Sequence, residues 1–375
     1  MSFLAAGETA AVTTKARIFR SRLLGREDYL RFLECGTVGE IASLLARTEG
    51  YGDYFRDRSP ESMHRGKVEW IITFLPLLEA LPFHHYLRGT REALLRFWEE
   101  RFDADMIKKV LRIIATGRGN RELLKRRAEF IPMTLVDGER LVAAATYRDV
   151  LAALDGSPVR RSLEEPLRRL ERGDGNLFRI KIVLDNFFFT RFLETAARLP
   201  AAERRGVFRI FGTRADLINM YWIYRARRFF SMSPEEAMGV TLSVRHKLNF
   251  ETLSSFAFAP DVPAMIGLFK ATPYGAAFAG LGGGRVAVDE MRLEHNLYRI
   301  LWRAAAKCFA TGEMGVHMVL AYLTLKELEV KDLFSIIEDV RYQYDKGTIR
   351  RFFINPVEEA SQETERSEAE WLSSR

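Results

Sequence analysis

The chain has 375 residues, 47% of them hydrophobic and 12% aromatic, a length that favours two or three domains and buries roughly three quarters of the unfolded surface. Its two cysteines, Cys35 and Cys308, stand near opposite ends of the chain, which excludes a disulfide framework or a structural zinc site and fits a reducing compartment. Lysine and arginine number 57 against 50 acids, a net charge of +7, and because the stretch 356–375 holds six glutamates and two arginines the remainder carries +11. That excess favours an anionic partner and says nothing about the fold.

Taken in chain order, Met1-Ser-Phe-Leu-Ala-Ala-Gly-Glu8 lacks the positive start and longer apolar stretch of a secretory signal, so a cytoplasmic chain is expected. Tyr29, Phe32 and Leu33, then Val38, Ile41, Leu44 and Leu45, recur at three- and four-residue steps and predict two short core-facing helices broken near Gly36. The most apolar window, Trp70 to Leu78, contains Pro76 between Glu69 and Glu79 and falls far short of the ~20 residues of a membrane span. Gly117-Arg-Gly-Asn, Gly173-Asp-Gly-Asn, Ser233-Pro-Glu-Glu and Gly282-Gly-Gly punctuate further helices, with Asn120 and Ser233 placed as N-caps. Near the end, Leu333, Ile336, Ile337 and Val340 make one more apolar stripe. Strand-type alternation is scarce throughout, and an all-α fold is expected.

Internal repetition decides the expected architecture. Asp103, Asp216 and Glu329 stand at equal intervals along the chain. Apolar residues follow each acid at the fourth, seventh and eighth positions: Ile107, Val110 and Leu111; Met220, Ile223 and Tyr224; Leu333, Ile336 and Ile337. The next helix opens at Asn120, Ser233 and Asp345. Two further pairs of words agree: Asn176-Leu-Phe-Arg-Ile180 with Asn296-Leu-Tyr-Arg-Ile300, and Tyr51-Gly52 before Phe55 with Tyr274-Gly275 before Phe278. A competing register slides the third acid to Asp332, where Arg341 matches Arg112 and Arg225; equal spacing favours Glu329, at the cost of Glu338 in place of the arginine. The arginine is the ninth residue after the acid, so the two lie on opposite helix faces and cannot pair within one helix.

Three similar helical modules are therefore expected, at 1–125, 126–239 and 240–355, followed by an acidic tail at 356–375 that is expected to be disordered. A period this long exceeds that of a solenoid. Three such domains can stack as a rod or close around a pseudo-threefold axis, and the long period admits a ring or funnel, whose central opening would suit an axle.

The residues themselves resemble a family. Thr14-Lys-Ala-Arg-Ile-Phe-Arg-Ser-Arg-Leu-Leu24 before the Tyr29-Leu-Arg-Phe-Leu33 helix resembles the opening of the C subunit of archaeal and bacterial V/A-type rotary ATPases, whose eukaryotic counterpart is the d subunit. Tyr322-Leu-Thr-Leu-Lys-Glu-Leu-Glu-Val-Lys-Asp-Leu333 is similar to that family's lysine-glutamate-x-glutamate helix, and Asp216, Asn219 and Arg225 to its middle-module aspartate, asparagine and arginine. The resemblance covers roughly residues 14 to 355. Two positions depart from the pattern: Asp332 stands where the family often has asparagine, and Met106 replaces the counterpart of Asn219. The resemblance implies a non-catalytic central-stalk subunit. It would be a peripheral socket on the cytoplasmic face of the membrane, coupling the rotor shaft to the proteolipid ring during ion transport linked to ATP synthesis or hydrolysis.

No catalytic, cofactor or metal residue is assigned. Gly280-Leu-Gly-Gly-Gly-Arg285 lacks the following lysine and preceding strand of a phosphate loop and is expected to be a connector. His84 and His85 are adjacent, and His64, His246, His295 and His317 have no ligand-type neighbour at helical spacing. The repeated acids are expected to bond a helix end or an arginine. Arginine runs at 118–127, 160–172 and 224–228 admit a basic helical nucleic-acid-binding or scaffold protein as the alternative. Glutamates dilute two of the runs and no reader motif accompanies them, so nucleic acid is not the expected partner.

Overall fold

The computed structural model describes residues 3–56, 63–130, 133–278, 286–342 and 353–356, and no strand occurs among them. The chain forms two compact units, one made of 1–86 with 274–375 and the other of 87–273.

The first unit opens with α1 (Phe3–Ser21), α2 (Arg26–Glu34), α3 (Val38–Arg47), the one-turn α4 (Gly52–Phe55) and α5 (Arg65–Ala80). Local chemistry sets the short helices. The Asp28 carboxylate accepts the Gly25 N–H ahead of α2, the Thr37 hydroxyl accepts Glu40 N–H at 3.2 Å to start α3, and His64 Nδ1 accepts Lys67 N–H at 3.3 Å to start α5. The expected Tyr29 and Ile41 stripes are α2 and α3, and both residues are fully buried.

The second unit is continuous. It runs through α6 (Thr90–Thr116), α7 (Arg121–Phe130), α8 (Gly138–Ala143), α9 (Tyr147–Ala153), α10 (Arg160–Arg172), α11 (Leu177–Ala196), α12 (Ala201–Val207), α13 (Thr213–Phe229), α14 (Pro234–Gly239), α15 (Phe250–Ala257) and α16 (Val262–Lys270). A π-helical turn, Phe208–Gly212, joins α12 to α13. Asn120 Oδ1 accepts Leu123 N–H at the start of α7, and Ser233 closes a capping box with Glu236 at the start of α14; both N-caps are where the sequence puts them. Within this unit Ile107, Val110 and Leu111 of α6 share a core with Leu141, Val150, Leu163 and Leu167 of the short helices α8–α10. In the same way α13 packs against α15 and α16.

Two long helices from the C-terminal half complete the first unit, α17 (Val286–Ala310) and α18 (Val316–Tyr342). Every residue of α18 from 316 to 326 is buried, because α1, α5 and α17 all pack on it. Farther along, its Leu333, Ile336 and Ile337 join a core with Tyr29, Phe32, Ile41, Leu45, Tyr51 and Phe55. Each acid-bearing long helix, α6, α13 and α18, thus packs against a set of short helices. For the last of them that set comes from the start of the chain.

Candidate functional site

The repeated acids do one job three times. Asp103 Oδ2 on α6 accepts the backbone N–H groups of Thr134 and Leu135, at 2.8 and 3.0 Å. Asp216 on α13 accepts those of His246 and Lys247 at 2.9 and 2.7 Å. On α18 the residue in this role is Asp332, which accepts Ile354 N–H at 2.8 Å and Asn355 N–H at 3.1 Å. In each case a buried carboxylate holds two successive amides of an incoming loop, which satisfies backbone donors that water cannot reach.

The equal-spacing register is therefore corrected. The third acid is Asp332, slightly farther along the chain than equal intervals require, and Glu329 is something else. A three-residue slide along a helix moves a side chain by nearly one turn, so the Asp332 register still puts apolar Ile336 and Val340 at the fourth and eighth positions, and only the seventh, Asp339, breaks the stripe. The shared arginine position and the shared residue type, aspartate, carried the signal. Met106, Asn219 and Ser335 then occupy equivalent sites. Asn219 adds a second clasp, accepting Leu242 N–H at 2.6 Å and donating to the Val244 carbonyl at 3.3 Å. Met106 is buried without one.

Partners of the three acids differ. Arg127 is buried and reaches Asp103 at 3.4 Å, so it leaves the exposed arginine run. Burial raises the Asp103 pKa, against the two loop amides and Arg127. Asp332 receives a third bond from the Tyr29 hydroxyl at 3.0 Å. Its carboxyl is pushed up to about 7 by burial, with Glu329 beside it adding to the shift and the three donors opposing it.

Around Asp332 lies a buried polar network that local spacing did not reveal. Lys326 Nζ stands 3.1 Å from Glu329 and 3.7 Å from Glu79, and 3.6 Å from the centre of the Tyr51 ring. Glu329 also accepts the Tyr51 hydroxyl and the Leu24 N–H, each at 2.5 Å, and the Tyr322 hydroxyl donates to Glu79. Lys326 and Glu329 are the first and last letters of the lysine-glutamate-x-glutamate word. Glu79, Tyr51 and Leu24 come from elsewhere, 243 to 305 residues away from their partners, and no local pattern could announce them. Burial raises the pKa values of Glu79 and of all three tyrosines, Tyr29, Tyr51 and Tyr322. The single cation stabilises two carboxylates at once, and the network is a brace rather than a reaction centre.

Other sequence candidates resolve simply. Tyr51-Gly52 and Tyr274-Gly275 both precede one-turn helices, Gly52–Phe55 and Gly275–Phe278, and both tyrosines and both phenylalanines are buried. The Asn176 and Asn296 words are not equivalent, since Asn176 caps α11 while Asn296 lies inside α17 and donates to the Ala277 carbonyl. His246 sits against the Asp216 clamp, and burial lowers its pKa. No group of three His, Cys, Asp or Glu residues among those described could hold a metal ion. The glycine run at 280–284, Asp345 and the tail from 357 lie outside the described residues.

Comparison with known proteins shows the family. The sequence profile of the ATP synthase (C/AC39) subunit family matches residues 12–352. Similar proteins include the C subunit of the A-type ATP synthase of Methanosarcina mazei, 23% identical over 328 residues and 86% of each chain. That of Methanothermobacter thermautotrophicus is 25% identical over 340 residues, 87% of this chain and 82% of the relative. That of Methanocaldococcus jannaschii is 23% identical over 341 residues, 88% and 82% of the two chains. A family match over residues 12–352, nearly the whole chain, leaves one conclusion: this chain belongs to the ATP synthase (C/AC39) subunit family.

Proposed function

We propose that this subunit is the central-stalk socket of a V/A-type rotary ATPase, receiving the foot of the rotor shaft and seating it on the proteolipid ring at the cytoplasmic face of the membrane. It is a non-catalytic part of the machine. The observation that carries the reading is the family match over residues 12–352, which spans all three copies of the repeat rather than one. No described helix is long and apolar enough to cross a membrane, in keeping with peripheral attachment.

In this reading the three modules at 1–125, 126–239 and 240–355 surround a central opening with pseudo-threefold symmetry. The mechanism is mechanical. Torque passes from shaft to ring without loss only if the socket deforms little under load, and close-packed helices supply that stiffness. The carboxylate clamps support it, since each one bonds a long helix to the loop that would otherwise shear past it. Ion translocation and nucleotide chemistry then belong to the other subunits.

The alternative, a basic nucleic-acid-binding or scaffold protein, loses ground on two of its three arginine runs. Arg127 is buried on Asp103, and in α10 Arg168 and Arg172 pair with Glu164 and Glu165. The test is retention of the purified chain by the shaft subunits and by the detergent-solubilised ring. Retention by both is expected. Retention by neither, with salt-sensitive binding to random DNA, overturns the proposal.

A further inference from the structure

Four consecutive residues at the end of α13, Arg228-Phe229-Phe230-Ser231, are exposed. Phe229 and Phe230 are 39% and 46% accessible, a large apolar surface to leave in water. Phe230 stacks on Phe178 of α11, ring centres 5.3 Å apart, and the Arg225 guanidinium lies 5.9 Å from the Phe229 ring. Arg228 is exposed next to Phe229 in the sequence and has no acid partner among the described residues, whereas Arg179, next to Phe178, lines a cavity with Asp174, Glu235 and Glu236. The next acids along the chain, Glu235 and Glu236, begin α14, and Glu236 is engaged in the capping box.

Comparison between copies shows that the fold does not need these rings. In the first copy the same turn reads Thr116-Gly117-Arg118-Gly119. There Gly117 ends α6 in the left-handed region at φ 64°, as a helix C-terminus ordinarily requires. In the second copy Phe230 ends α13 at φ −109° and the left-handed position falls on Ser231, φ 48°, a conformation that costs a non-glycine residue about 1 kcal/mol. A turn built without aromatics in one copy carries two exposed ones in the other, on a less favourable backbone.

We propose that this tip docks on an anionic phospholipid surface. Two exposed phenylalanines beside the exposed Arg228 are the chemistry that enters a headgroup layer, the rings among the upper acyl carbons and the guanidinium on phosphate. An exposed run at a helix end offers no groove residues of its own to grip a helix, so it fits a surface better than a partner helix. The inference deepens the socket reading and takes from it only the nearness of a membrane.

Vesicle flotation of the full chain tests it, with phosphatidylcholine alone against phosphatidylcholine containing one third phosphatidylglycerol. Capture is expected only on the anionic vesicles. Arg228→Glu should weaken it about five-fold or more, and the Phe229→Ser, Phe230→Ser double variant about ten-fold. Arg161→Glu, the same charge change on exposed α10, should leave it unchanged. If the serine variant melts early, Arg228→Glu at its exposed site carries the comparison. Equal capture on both vesicles, no capture, or an equal loss from Arg161→Glu overturns the proposal. So does a tip variant that loses shaft or ring while flotation is unaffected, which would identify a protein contact. Failure of shaft and ring retention with flotation intact would sink the socket and leave the lipid contact standing.

Discussion

Asp216 holds its loop through both carboxylate oxygens, which accept the His246 and Lys247 amides, and cutting the side chain back leaves those two donors without their acceptor. Asp216→Ala is expected to cost about 2–4 kcal/mol, read as a lower urea midpoint with faster hydrogen exchange at residues 246–247. Lys326 is the converse case, one cation between Glu79 and Glu329. Lys326→Met keeps the volume and leaves two buried carboxylates without their counter-charge, so a loss of about 3–5 kcal/mol is expected in thermal or chemical unfolding. Asp332 makes the pH prediction. Its folded pKa of about 7 lies above its ordinary 3.8, so the folded state holds the proton more tightly. Stability from this group therefore rises as pH falls from about 7 towards 4, and its ionised form is a full penalty above 7. Asp332→Asn should flatten the slope of stability against pH across that window.

At the scale of elements, helix existence is legible in the sequence and helix partnership is not. The Tyr29, Ile41 and Leu333 stripes each form a helix, because a 3.6-residue apolar period has few other ways to bury itself. Equal spacing misplaces the third acid by three residues because the same period tolerates that slide. The π-helical turn before α13 has no sequence warning. It brings Gly212 against the His246 side chain, where an added Cβ would stand 2.7 Å from the ring. Gly212→Ala should accordingly push His246 away and strain the Asp216 clamp behind it, costing about 1–3 kcal/mol. A melting curve checks the size, and Gly206→Ala is not an adequate control because Gly206 is itself buried. Gly239, with open space at its Cβ position, serves better: Gly239→Ala should be close to neutral.

For the whole molecule, the two compact units make opposite predictions. Residues 87–273 form a continuous unit with its own core, so that segment expressed alone should give a helical spectrum and a cooperative unfolding transition. The other unit needs both ends of the chain. Removing residues 1–56 strips Tyr29, Phe32, Ile41 and Phe55 from Leu333, Ile336 and Ile337, and the truncated chain should aggregate or unfold without cooperativity. A soluble, cooperatively melting truncation would show that α18 finds other cover.

The helical class, the N-caps at Asn120 and Ser233, the repetition of an acid-bearing helix and the family likeness were all determined by the sequence alone. They depend on spacing within a few turns or on word order along the chain. Which acid closes the third loop, why Lys326 is buried, and the pairing of the first short helices with the last long one were decided only by the tertiary structure. Those contacts join residues far apart in the chain, and a helical period records which face is buried but not what buries it.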